Sequence, residues 1–110
     1  RPAFVFKGEL YVGSITHGEI WKTDGHRWDL VFDSLPNGPG GYVGSMVEYE
    51  GKLYTGIRTV SGFIFRTGDG GVWEEVGNIS PHTIESLAVF KNQLYAGTLL
   101  PPNGTIYRAF

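Results

Sequence analysis

One short pattern, Leu-Tyr followed at one remove by glycine, occurs three times in the chain. It stands at Leu10-Tyr11-Val12-Gly13, Leu53-Tyr54-Thr55-Gly56 and Leu94-Tyr95-Ala96-Gly97, with starts 43 and 41 residues apart. Whole segments align around it: Phe4 to Phe32, Val47 to Val76 and Ala88 to Phe110. A fixed period of this size constrains the fold more than any other feature of the chain. Each repeat is one supersecondary unit that buries its apolar face only against its neighbours.

Each repeat reads as a series of strands. Strand A is the apolar run ending at Phe6, Tyr49 or Phe90, followed by the two-residue turns Lys7-Gly8, Glu50-Gly51 and Lys91-Asn92. Gly or Asn at the second turn position accepts the positive φ that a type I′ hairpin requires. Strand B follows at Glu9–Gly13, Lys52–Ile57 and Gln93–Thr98, and strand C at Glu19–Lys22, Phe63–Arg66 and Thr105–Arg108. Strand D, which carries a tryptophan, is Trp28–Phe32 and Trp73–Val76; the third repeat stops before one. Alternation with period two runs through most of these strands and no 3.6 period competes with it. The expectation is an all-β chain: a single domain over residues 1–110, with about 2.75 four-stranded antiparallel repeats at roughly 3–33, 46–77 and 87–110. A four-stranded repeat of about 40–45 residues has the size of a β-propeller blade.

Composition removes several function classes. Cysteine is absent, which excludes thiol catalysis, a disulfide scaffold and a Cys-ligated zinc site. The formal net charge of −2 gives no electrostatic footing for a nucleic-acid or anionic-membrane partner. No apolar run approaches the ~20 residues of a membrane-spanning helix. Gly38-Pro39-Gly40-Gly41 is glycine-rich but lacks the strand-to-helix setting of a phosphate loop, and reads as a connector between repeats. No cofactor is implied.

A propeller ring needs roughly 4–8 blades. Three would leave apolar faces and sheet edges in water. Homodimerisation would complete a six-bladed ring through a head-to-tail contact that closes on itself; the alternative is a piece of a longer propeller. The pattern Val-Phe-x-Gly-x-Leu-Tyr-x-Gly, then Gly-x-Ile-Tyr-Arg-Thr-x-Asp-Gly and Trp-x-x-Val, resembles the blades of bacterial Asp-box (BNR-type) and kelch-like β-propellers over nearly the whole chain. Thr67-Gly68-Asp69-Gly70-Gly71-Val72-Trp73 resembles the Asp-box but is one residue short before the tryptophan, and Thr23–Trp28 is a weaker copy. The resemblance implies that the aspartate caps a turn and the tryptophan packs between blades. It does not imply an activity, because propellers host enzymes and passive scaffolds alike.

Residues that recur at one repeat position read as architecture. This covers the tyrosines Tyr11, Tyr54 and Tyr95, the aromatics Trp21, Phe65 and Tyr107, and the cations Lys22, Arg66 and Arg108. Asp24 and Asp69 lack the alternating oxygen ligands of a calcium loop, and the three histidines have no metal-ligand spacing. No Gly-x-Ser-x-Gly elbow or sialidase-like arginine triad supports a hydrolase. The chemistry that remains sits in the non-recurring B–C loops and connectors, at His17, Asn37, Tyr42, Arg58, His82 and Asn103. Loops on a rigid scaffold concentrate binding residues, and an exposed tyrosine beside Asn, His and Arg suits sugar rings. The expectation is a non-enzymatic, self-assembling module that binds a glycan or a protein through its loop face. A propeller hydrolase or lyase with its site at the central channel is the alternative.

Overall fold

A computed structural model describes residues 2–14, 17–34, 41–58, 62–78, 84–98 and 106–108. They form strands and turns with no helix. The first sheet contains β1 (Ala3–Phe6), β2 (Glu9–Gly13), β3 (Glu19–Thr23) and β4 (Trp28–Asp33). The second contains β5 (Tyr42–Tyr49), β6 (Lys52–Arg58), β7 (Gly62–Thr67) and β8 (Trp73–Asn78), and the third β9 (Ile84–Phe90), β10 (Gln93–Thr98) and β11 (Ile106–Arg108). Each sheet is an antiparallel meander in which every strand pairs with its neighbour in sequence.

Local chemistry sets the hairpins. The three A–B turns have positive φ at both central residues: 49° and 80° at Lys7-Gly8, 50° and 79° at Glu50-Gly51, and 49° and 61° at Lys91-Asn92. This is the type I′ geometry whose twist matches the flanking strands. A register shift recurs at one place in the first two sheets, between Ile20 and Trp21 and between Ile64 and Phe65. The likeness of the repeats therefore extends to their irregularities.

The second sheet lies between the other two. Its one face meets the first sheet through Leu53, Ile57 and Phe65, against Phe6, Tyr11 and Ile20. Its other face carries Tyr49, Tyr54 and Ile64 against Ile84, Leu87 and Leu94 of the third sheet. The Leu-Tyr-x-Gly motif follows from this stacking. Strand alternation sends the leucine to one face and the tyrosine and glycine to the other. A Cβ on Gly13 would lie 2.5 Å from Val43, and one on Gly56 would lie 2.6 Å from Ile84. Each glycine leaves the hole into which the next sheet's first strand sets a β-branched side chain. Farther out, Phe32 packs against Phe65 and Trp73, with ring centroids 4.8 and 5.3 Å apart. The first two layers are thus joined by glycine-permitted contacts near β2 and β5 and by an aromatic cluster toward β4 and β8.

Strands run past their expected ends at several places, with β8 reaching Asn78 and β9 starting at Ile84. Tyr42 belongs to β5 and Arg58 to β6, rather than to a connector and a loop. The extra length comes from an irregularity between Val43 and Ser45 that carries the pairing on to Tyr42 and Arg58; Tyr and Val are residues that favour strands.

Candidate functional site

The C–D turns are structural. In the second sheet Asp69 Oδ1 accepts hydrogen bonds from the backbone N–H of Gly71 at 2.8 Å and Val72 at 2.9 Å, while Gly70 N–H donates to Thr67 Oγ1 at 2.8 Å. In the first sheet Asp24 Oδ1 accepts from His26 and Arg27, and Gly25 N–H donates to Thr23 Oγ1 at 2.9 Å. Gly25 is thus the counterpart of Gly70, and Gly68 is the one residue the first turn lacks. The backbone donors hold both aspartates below the usual carboxylate range. Two of the recurring cations, Lys22 and Arg66, are likewise engaged. Lys22 pairs with Glu9 at 3.0 Å, and Arg66 pairs with Glu74 while donating to the Tyr54 hydroxyl at 2.9 Å. Hydrogen bonding to Glu9 raises Lys22, and that to Tyr54 and Glu74 raises Arg66.

Three of the candidate side chains, His17, Tyr42 and Arg58, lie at the opposite end of the sheets. Tyr42 and Arg58 are direct cross-strand partners. The Arg58 guanidinium lies over the Tyr42 ring at 5.3 Å from its centroid, a cation–π arrangement. Arg58 Nη1 also pairs with Glu85 Oε2 of β9 at 2.9 Å, joining the second sheet to the third. His17 bridges to Gly41, the residue before Tyr42, and its carbonyl accepts a hydrogen bond from Ser34 Oγ at 3.2 Å. Val43 N–H donates to Ser14 O at 3.1 Å across the first two sheets. His17, Tyr42 and Arg58 therefore share one rim, with Tyr42 and His17 exposed. Asn37, His82 and Asn103 lie outside the described residues.

Sequence reasoning missed Glu85 as a member of this rim, because its contact with Arg58 depends on packing between repeats. It also missed a shallow groove of about 350 Å³ at the turn end, lined by Lys52, Arg66, Gly68, Asp69, Val72 and Glu74. There Arg66, Asp69 and Glu74 are committed to the internal bonds given above. No group of three or more His, Asp or Glu side chains suited to a metal ion occurs among the described residues. On the rim, the carboxylate of Glu85 is held by Arg58. The arrangement offers an aromatic ring, guanidinium donors and carboxylate acceptors. Comparison with protein-family models, curated proteins and solved structures returns no match.

Proposed function

We propose that the three sheets are successive blades of a β-propeller, and that the chain is a non-enzymatic binding scaffold whose ligand sits on the rim of Tyr42, Arg58, Glu85 and His17. The blade reading is supported by the stacking of three similar antiparallel meanders through equivalent positions, with Gly13 and Gly56 each admitting a β-branched side chain from the first strand of the next sheet. Two copies then close a six-bladed ring. The observation that carries the binding reading is the Arg58–Tyr42–Glu85 cluster. It is a set of charged and aromatic side chains that does not repeat from sheet to sheet, so the repeat architecture does not require it. Its chemistry suits a hydroxyl-rich ligand such as a glycan, stacked on the exposed part of Tyr42 and hydrogen-bonded by Arg58 and Glu85; a protein surface with a similar polar patch is the other class of ligand.

Two measurements test this reading. Light scattering across a dilution series should give a persistent mass near twice 12.1 kDa; a mass that keeps rising with concentration would replace the closed ring with an open stack. Binding to a printed array of neutral and acidic oligosaccharides should be lost when Tyr42→Ala and Arg58→Ala are combined, with the mass unchanged. An array that stays blank for the parent chain removes the glycan, and unaltered binding by the double variant removes the rim.

A further inference from the structure

The stack has a direction, and exposure reveals it. Phe6, Tyr49 and Phe90 occupy one repeat position and are 1%, 7% and 61% exposed; Ile20, Ile64 and Ile106 occupy another and are 0%, 2% and 76% exposed. Both positions face the following sheet, and among the described residues only the third sheet has none to meet. The leucines run the other way: Leu10, Leu53 and Leu94 are 36%, 0% and 0% exposed. They face the preceding sheet, and among the described residues only the first sheet lacks one. Pairing places Leu10 beside Val5, and Trp21 beside Leu30, on this open face. Trp28 stands on it too, in line with Leu10 through Thr23. The described sheets thus present two unlike apolar faces, each made of the residue types that meet the other inside the molecule.

A second mark of the same vacancy lies in the turns. The buried Tyr11 hydroxyl of the first sheet abuts Gly70 of the second, so closely that a Cβ there would fall 2.0 Å from it. Gly25, the counterpart of Gly70, has nothing within 4 Å of its Cβ position. Tyr95, the counterpart of Tyr11, sits on the open face of the third sheet, in register with Ala88 and Arg108.

From these matched ends we infer that a second copy of this chain docks head to tail. Its Phe90, Tyr95 and Ile106 seat on the Leu10, Trp21 and Trp28 face of the first sheet, and its Tyr95 hydroxyl covers Gly25 as Tyr11 covers Gly70. This names the contact surface of the ring proposed above and rests on that reading. The contact is heterologous: the two participating patches differ, and two copies close with two identical junctions.

Two variants, each disabled at one end, test the inference. Trp28→Glu spoils the first-sheet face and Phe90→Glu the third-sheet face, both at positions exposed in the single chain. Each variant alone would place a buried carboxylate in every junction, so its dimer should weaken at least tenfold and its mass fall toward 12.1 kDa. An equimolar mixture should regain a mass near twice that value, because one junction of the mixed pair is wild type on both sides. Leu30→Glu with Ile106→Glu provides a second pair, and far-UV circular dichroism with cooperative urea unfolding confirms that each variant folds. A single variant that still dimerises alone would show a face-to-face contact and overturn the inference. Two variants that both dimerise alone would place the contact elsewhere, overturning the inference while leaving the ring. A parent chain that is monomeric throughout the dilution series overturns ring and contact together, and assigns the open faces to another segment. Rim binding is read separately on the oligosaccharide array.

Discussion

Gly70 and Gly25 are equivalent residues in two turns, and alanine should affect them differently. Both have positive φ, +89° at Gly70 and +103° at Gly25. Forcing an L-residue into such a conformation costs about 1–2 kcal/mol. At Gly25 that is the whole cost in a single chain, because its Cβ position is open. At Gly70 the new methyl would sit 2.0 Å from the Tyr11 hydroxyl. Tyr11 cannot swing away, since it is buried and packed edge-on against Phe6 at 5.9 Å. Overpacking of this kind adds about 1–3 kcal/mol. Gly70→Ala should therefore lower stability by about 2–5 kcal/mol and Gly25→Ala by about 1–2 kcal/mol.

Tyr11→Phe separates the two contributions. It removes the clashing oxygen, and the next atom, the ring carbon that bore it, lies 3.2 Å from the new Cβ. In the Tyr11→Phe background the extra cost of Gly70→Ala over Gly25→Ala should shrink by more than 1 kcal/mol, the coupling expected of groups in direct contact. Urea unfolding followed by tryptophan fluorescence at neutral pH measures each value, in a Phe90→Glu background so that association contributes nothing. Equal losses for the two glycine variants would refute the reasoning, because the first sheet's tyrosine would then not reach the second sheet's turn. A coupling near zero would refute the assignment of the clash to the hydroxyl.

Two further outcomes follow from the same packing. Leu53→Ala, at a fully buried position between the first two sheets, should cost about 2–5 kcal/mol in urea unfolding; Leu10→Ala at the equivalent open position should cost far less in the single chain, and a similar loss at both would place Leu10 in a core. Asp24, Asp69 and Glu74 all have carboxyls held below their ordinary values, the aspartates by backbone N–H donors and Glu74 by Arg66. A depressed folded-state value means that their contribution is fully present above the unfolded carboxylate range of about 3.9–4.3 and is lost as pH falls through the lower folded values. Thermal midpoints should hold between about pH 5 and 7 and drop below pH 4, and Asp69→Ala should lower the midpoint at neutral pH while flattening the acid drop. A variant curve parallel to the parent's would remove Asp69 as a source of that dependence.

The hairpins and the order of strands were legible because their causes are local. Lys7-Gly8 and Lys91-Asn92 carry their turn type in two residues, and alternation marks each strand within five or six. The Thr67–Trp73 turn was equally readable, since Asp69 bonds to residues two and three positions on. What alternation could not say is which face meets which neighbour. A period of two divides Leu10 from Tyr11 without assigning either to the sheet before or the sheet after; that assignment needs the stacked layers. The rim was half legible for the same reason. Tyr42, Arg58 and His17 stand out as chemistry that does not recur, but the pairing of Tyr42 with Arg58 depends on the irregularity in β5. The ion pair to Glu85 depends on how the third sheet is laid against the second, and no spacing in the chain encodes that directly.

The placement of this rim bears on valency. Arg58 and Glu85 meet at the junction of the second and third sheets, whereas the corresponding sequence positions at the junction before it are Ile15 and Gly44. One chain therefore carries a single cluster, although its sheets stack by one rule throughout. In the ring proposed above, the two-fold axis runs through the ring's centre, so it carries the cluster of one copy onto that of the other without turning the ring over. Both clusters then open on the same side. A ligand with two suitably spaced epitopes could engage both, and the second engagement would proceed at the effective concentration set by their separation, raising avidity by roughly 10²–10⁴ with no new contact. A monovalent ligand gains nothing from the arrangement. The head-to-tail contact and the rim are thus coupled in consequence: mutating the third-sheet face at Phe90 should leave weak monovalent binding at Tyr42 and Arg58 intact and remove only the gain from multivalent display.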